Sequence, residues 1–366
     1  MRDARRRLVV AGLALCLAIA SNASSEELPR VRLVATGGTI SNRAGGRLSA
    51  EELVALIPDV RRFARPESEQ FSNVASSELT LKQWLALSRR LNELFASQKD
   101  LGGLVVTSGT DTLEELAYFL HLTVRDPRPV VVVGSMRNPS TVGYEGAANL
   151  LEAFRVAASP EARGKGVLVV LNDEINSARD VTKTDALRLQ TFQSRTSGIL
   201  GIVDADRVVF YRSVVKRHTT ESEFDVAAIS DLPRVDVLMV YQDAAGDLIK
   251  AAADLGAQGI VVAGAGAGAT SGTQSEGLTY AAGKGVVVVT TTRAGSGRVS
   301  GARSFGPPPA PAGAAPAQAQ GTPGPRPRRS FIGGEDLQPV KARILLMLAL
   351  TRTKDPAEIQ RIFLQY

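Results

Sequence analysis

The sequence predicts a two-domain α/β protein, with a larger N-terminal parallel-sheet domain and a smaller C-terminal α/β domain. Three observations carry this expectation. From Val31 to Tyr211, short Val- and Leu-rich runs alternate with amphipathic stretches, the pattern of buried strands separated by helices. A polar, irregular stretch, 212–233, then interrupts the alternation as a linker would. A second set of apolar runs begins at Val235. The chain has 366 residues, enough for two hydrophobic cores.

Residues 1–23 read as a secretory signal peptide. Arg2, Arg5, Arg6 and Arg7 precede the apolar run Leu8–Ala20, and Ser21-Asn22-Ala23 offers a small-x-small cleavage site. Thirteen residues are short for a bilayer span, so no stable membrane anchor is expected. The mature protein is then expected to be periplasmic or secreted in a bacterium. Cys16, the single cysteine, lies inside this segment and leaves the mature chain without disulfides or thiolate metal sites.

The N-terminal domain is expected over 24–211. Its strands are read at Val31–Ala35, Gly103–Thr107, Pro129–Gly134, Gly166–Leu171 and Val208–Tyr211. Its helices are read at Ala50–Ile57, Leu81–Ser97, Leu113–Leu122 and Gly143–Ala158. The C-terminal domain, 234–366, offers strands at Val235–Tyr241, Gly259–Ala263 and Gly285–Thr291, and helices at Leu248–Leu255, Val340–Ala349 and Pro356–Phe363. Within it, 305–329 is rich in Pro, Ala and Gly, cannot form a packed core and reads as a surface insertion.

Composition sets limits on function. Apolar residues make up 44% and charged residues 22%, ordinary for a soluble globular chain, while 5% aromatics put the core on aliphatic side chains. The net charge of +6 is concentrated in the leader arginines and in Arg303, Arg326, Arg328 and Arg329. The remainder is close to neutral, so no nucleic-acid partner is expected.

Three segments end expected strands with hydroxyls, carboxylates or an amine: Thr36-Gly37-Gly38-Thr39-Ile40, Thr107-Ser108-Gly109-Thr110-Asp111-Thr112, and Asp180-Val181-Thr182-Lys183-Thr184. In open α/β sheets, ligands bind beyond the carboxyl ends of strands. A threonine hydroxyl needs a base to become a nucleophile, and a desolvated lysine can serve as that base. Glycines before Thr39 admit backbone close to a ligand. Each segment alone also has a plain structural reading: a tight turn, a helix N-terminus, a surface lysine.

Together, in this order, the segments ATGGTI, VVTSGTDTLEELAYFLHLTV and GVLVVLNDEINSARDVTKTDALRLQTF, with KRHTTESEFDV and KARILLMLALTRTKDP, resemble the bacterial type II L-asparaginase family. The resemblance covers Val31–Arg293 and Leu337–Tyr366. It implies hydrolysis of L-asparagine to L-aspartate and ammonia through a threonine acyl-enzyme, with glutamine as a secondary substrate. By position, the family nucleophile matches Thr39, and the second-site threonine, aspartate and lysine match Thr110, Asp111 and Lys183. The serine that helps hold the substrate carboxylate matches Ser76, with Ser77 beside it. Asp111 matches the partner of the substrate ammonium. No metal or organic cofactor is implied. The partners implied are a small amino-acid amide and further copies of the chain, in a homotetramer with sites at the intimate dimer interface.

The sequence also departs from that pattern. The stretch Ser41–Ser49 lacks the lid tyrosine of many family members. Ser108 stands for a family histidine, Ser77 for a common glutamine, and Ala269 for an Asn or Ser contributed to the neighbouring subunit. No glutamate in 301–330 matches the one the family lends across its interface. These departures leave a second reading: an asparaginase-fold protein that binds an amino acid with little turnover. A transfer-RNA-dependent amidotransferase subunit of the same fold would conflict with the export signal. The turn Gly264–Ala269 fits a dinucleotide fingerprint, but the next strand ends in Thr292-Arg293 without the expected acid, so it reads as a close-packed turn. His121 and His218 lack ligand spacing and read as surface or interface residues. Tyr144 could approach the site but reads as packing.

Overall fold

The computed structural model describes residues 27–301 and 331–366. The leader 1–23 and the insertion 305–329 lie outside the described residues.

The first domain is built on one eight-stranded sheet. Its strands are β1 (Arg30–Gly37), β2 (Arg65–Val74), β3 (Leu101–Thr107), β4 (Val130–Val133), β5 (Val167–Leu171), β6 (Glu174–Ser177), β7 (Gly201–Val203) and β8 (Val208–Phe210). They lie in the order β8-β7-β6-β5-β4-β3-β1-β2. Strands β1 to β5 are mutually parallel where they pair. Their side chains alternate between two dry faces. Val34, Leu104, Val106, Val130, Val132, Val167 and Val169 join one core, and Val31, Leu33, Ala35, Val105, Val131, Val133, Leu168 and Val170 join the other. Burial on both faces explains why these strands read as unbroken apolar runs.

Helices α1 (Ala50–Ala55) and α4 (Gly146–Ala158) cover the second face, while α2 (Leu81–Ser97) and α3 (Leu113–Thr123) cover the first. Capping sets where two of them start. The Ser49 hydroxyl accepts from the Glu52 amide at 3.2 Å while the Glu52 carboxylate accepts from the Ser49 amide at 2.8 Å. Thr80 and Gln83 do the same for α2. The helix expected from Gly143 begins at Gly146, since Gly143 sits at φ 78°.

Three features differ from the sequence expectation. The sheet is mixed: β6 runs antiparallel to β5, and β7 and β8 continue antiparallel. The cause is the two-residue turn Asn172-Asp173, both at positive φ (51° and 65°), the geometry of a tight hairpin. Second, β2 has no apolar run, because it is an edge strand. Its Glu67 pairs with Arg30 at 2.7 Å and Arg32 at 2.6 Å, and its Glu69 pairs with Arg90 at 2.7 Å. Third, a helix is present at Gln274–Gly283, below.

The second domain has a four-stranded parallel sheet ordered β9 (Val235–Met239), β10 (Gly259–Gly264), β11 (Val287–Thr292) and β12 (Ile332–Gly333). Helices α5 (Asp247–Asp254) and α6 (Gln274–Gly283) pack together on one side. A Cβ at Gly277 of α6 would stand 2.5 Å from the Gly246 carbonyl, so only glycine permits that approach. Helices α7 (Pro339–Leu350) and α8 (Pro356–Gln365) lie on the other side and share one continuous core with α2 and α3 of the first domain. Arg179 adds a polar tie, donating to Asp336 at 2.7 Å and to the Tyr366 carbonyl at 3.0 Å.

Leu346 of α7 is fully buried in that shared core. Leu346→Ala is expected to cost about 2–5 kcal/mol of stability, read as a lowered urea midpoint. An unchanged midpoint would show that α7 does not carry the core.

Candidate active site

The carboxyl ends of β1 and β3 are neighbours in the sheet, and their first polar residues are tied together. Thr36 Oγ1 donates to the Thr107 carbonyl at 2.6 Å, and Thr107 Oγ1 accepts from the Thr36 amide at 3.1 Å. Beyond Thr36 the chain is Gly37-Gly38, and beyond Thr107 it is Ser108-Gly109. Gly37 and Gly38 take φ of 106° and 90°. A Cβ on Gly38 would stand 2.2 Å from the Gly109 nitrogen, and one on Gly37 2.4 Å from the Val74 carbonyl oxygen. The Gly38 amide donates to that oxygen at 2.9 Å. The turn carrying Thr39 is thus pressed backbone to backbone against the loop carrying Thr110 and against the end of β2.

Thr39 opens a single 3-10 turn, Thr39–Ser41, and is half-buried. The turn is held from two sides. Ser41 Oγ donates to the Gly38 carbonyl at 3.0 Å, and the Tyr144 hydroxyl donates to the Ile40 carbonyl at 2.9 Å. Burial pushes the Tyr144 phenol well above its ordinary range, which keeps it a donor. Tyr144 therefore does more than fill space.

Lys183 lies on a short hairpin, Thr182–Lys183 paired with Phe192–Gln193. Its Nζ donates to Thr110 Oγ1 at 3.1 Å and to Asp111 Oδ1 at 2.9 Å. Its counter-ion is the Asp111 carboxylate. The Lys183 side chain is 16% exposed and that of Asp111 76%, so the pair opens toward solvent on the aspartate side. Ser76, after β2, is buried against Gly109; a Cβ there would meet Ser76 Oγ at 2.8 Å. Ser77 is exposed next to it.

The fold thus brings Thr110, Asp111 and Lys183 into direct hydrogen bonding and sets Ser76 against the same loop. Thr39 reaches them through the Gly38–Gly109 contact. Among the described residues, no hydrogen bond joins the Thr39 hydroxyl to the other three. Glu114 was missed in the sequence. Its Oε1 accepts from Thr182 Oγ1 at 3.0 Å and from the Lys183 amide at 3.2 Å, fixing the backbone under the lysine. Its place in the first turn of α3, three residues after Asp111, was the available signal.

His121 and His218 are a correction. Neither is a surface residue: they are 0% and 8% exposed, with rings 5.0 Å apart. Helix α3 is buried on every side from Leu116 to Thr123, so its histidine enters the core. His121 Nδ1 accepts from the Val167 amide at 3.1 Å. Burial and the neighbouring ring lower the pKa of His121 well below the ordinary value. The turn after β10 is close-packed: Ala265 and Ala269 bridge, and a Cβ at Gly268 would stand 2.6 Å from Thr290 Cγ2.

The family model described as asparaginase, N-terminal, matches residues 30–216, and the glutaminase/asparaginase C-terminal domain matches 234–363. The chain belongs to the asparaginase/glutaminase family. It is 40% identical to L-asparaginase 2 of Bacillus subtilis, over 95% of this chain and 89% of that protein. It is 36% identical to the glutaminase-asparaginase of Pseudomonas fluorescens over the full length of both. A solved structure, the probable cytoplasmic L-asparaginase of Campylobacter jejuni, superposes with a TM-score of 0.82 at 39% identity, covering 92% of this chain and all of that one. In this asparaginase-family chain Ser108 is fully buried and donates to the Gly109 carbonyl at 3.1 Å.

Gly38→Ala tests the backbone contact. A Cβ at φ 90° is strained and has no room beside Gly109. The substitution is expected to cost about 1–3 kcal/mol in urea unfolding. Parent-like stability would show that the two loops can separate freely.

Proposed function

We propose that the chain is an amidohydrolase that converts L-asparagine to L-aspartate and ammonia, with side activity on L-glutamine. One observation carries this reading: the hydrogen-bonded set Lys183–Thr110–Asp111 lies against the glycine turn that presents Thr39.

Thr39 Oγ attacks the side-chain amide carbon, and its proton passes to Thr110 while Thr110 passes its own to Lys183 Nζ, which takes it as the neutral amine. The tetrahedral oxyanion collapses, the C–N bond breaks, and the leaving nitrogen takes the proton to depart as ammonia. Water then adds to the threonyl ester and releases aspartate, restoring the Thr39 hydroxyl. One Asp111 oxygen is held by Lys183, and the exposed carboxylate offers the other to the substrate ammonium. Ser76, with Ser77 at the rim, binds the substrate carboxylate. Tyr144 supplies order to the Thr39 turn in a chain without a tyrosine in 41–49. No metal or organic cofactor takes part.

The mature enzyme is exported after removal of 1–23, in keeping with the leader's arginines and apolar run. A relative 36% identical is named a probable periplasmic L-asparaginase, from Haemophilus influenzae. The working assembly is a homotetramer of intimate dimers. The solvent-facing Asp111 is in keeping with a shared site, since it leaves the site open on a side where a second chain has room to pack.

Two measurements test these readings. Purified parent is expected to release ammonia from L-asparagine, and Thr39→Ala to lose about 10³-fold or more in kcat with its fold intact. Equal rates would remove Thr39 from the mechanism, and tight asparagine binding without ammonia would make the parent a binding protein. Light scattering under assay conditions is expected to give four chains per particle; a fully active monomer would refute the shared site.

A further inference from the structure

The segment that delivers Lys183 is anchored by a lysine from the other domain. After β6 the chain starts back near the beginning of β5, where the Ala178 amide donates to the Val167 carbonyl at 3.1 Å. It then runs along α3 to Glu114, which receives Thr182 and Lys183. Lys341, in the first turn of α7, has no exposed surface. Its Nζ donates to the carbonyls of Ala178 at 3.0 Å, Arg179 at 2.9 Å and Val181. An ammonium has three N–H donors, and all three are used on this one stretch. A buried charge is costly compared with an apolar side chain of similar size, so its presence here calls for a positional role.

We propose that Lys341 is a positioning residue for amide hydrolysis: its ammonium locks the 178–183 segment onto α3 and thereby holds Lys183 Nζ against Thr110 and Asp111. This rests on the role given to Lys183 above.

The groups facing Lys341 are Tyr118, Glu114, Glu115 and His121 of α3, Arg179 and Asp180 of the segment, and Arg343 of its own helix, paired with Glu115 at 3.8 Å. Burial pushes Lys341 down from 10.5 to about 8, against the pull of Glu114, Asp180 and Glu115. Below that pH three donors meet three carbonyls. Above it the amine has two donors and a lone pair, so one carbonyl loses its partner and the segment loosens. The fold itself does not weaken through this group. Between pH of about 8 and 10.5 the unfolded chain binds the extra proton, so this group's contribution to stability rises with pH. The alkaline effect is confined to the site.

Parent, Lys341→Met and Lys341→Arg are compared by amide hydrogen exchange over 178–183, by thermal midpoint, and by kcat and KM for ammonia release from L-asparagine across the alkaline range. Lys341→Met is expected to speed exchange in 178–183 and to lower kcat by about a hundredfold with little change in KM, as a misplaced proton-transfer group would. In the parent, exchange in that segment, corrected for intrinsic rates, is expected to rise as kcat falls above pH of about 8. Lys341→Arg, charged throughout, is expected to move both changes to higher pH. Parent-like exchange in Lys341→Met, or an unmoved alkaline profile in Lys341→Arg, overturns the proposal. If neither variant folds, the parent's exchange profile decides. Exchange needs no turnover, so a parent that releases no ammonia would refute the proposed activity while the anchor is still judged.

Discussion

The site depends on a contact that contains no side chains. Gly38 and Gly109 meet backbone to backbone, leaving no room for a Cβ between the turn after β1 and the loop after β3. Parallel neighbours in a sheet end at the same level, and the Thr36–Thr107 bonds keep those ends in step. The glycines then let both chains turn inward and touch. Everything polar that follows is placed by that approach: Thr39 on one side, Thr110 and Asp111 on the other, and Ser76 against Gly109 from β2.

Lys183 arrives by a different route and needs different support. It is not at the end of a parallel strand, so the sheet does not position it. Glu114 grips its amide from α3. Lys341 grips the preceding carbonyls from α7, across the domain boundary. The shared core of α2, α3, α7 and α8 therefore holds more than the two domains together: the geometry of the lysine is referred to both.

Legibility in the sequence followed burial. Strands β1, β3, β4 and β5 are dry on both faces, so their apolar runs announced them. Strand β2 is stabilised at the edge by ion pairs, and RPESEQFSNV carries no alternation to read. Helix α6 packs through Gly277, whose contribution is the absence of a side chain. The turn Asn172-Asp173 was readable as a hairpin, but its position in an α/β pattern favoured a parallel expectation. In the candidate site, Thr39, Thr110, Asp111 and Lys183 stood out because hydroxyls, a carboxylate and an amine interrupt apolar surroundings. Glu114 and Lys341 did not, and Tyr144, which could approach the site, read as packing, because each acts on backbone carbonyls or amides brought near only by folding. His121 was misjudged because a polar residue in an apolar helix gives no sign of which face receives it, and His218 because its loop position hides the ring contact it makes with His121.

The charged edge of the sheet has a consequence for how copies of the chain can meet. Strand β2 presents Glu67 and Glu69, locked by Arg30, Arg32 and Arg90, beside its free backbone edge. Another strand docking there would have to strip water from a ladder of paired charges, which discourages sheet extension from chain to chain. That edge of the larger sheet is thereby guarded against fibre-like growth.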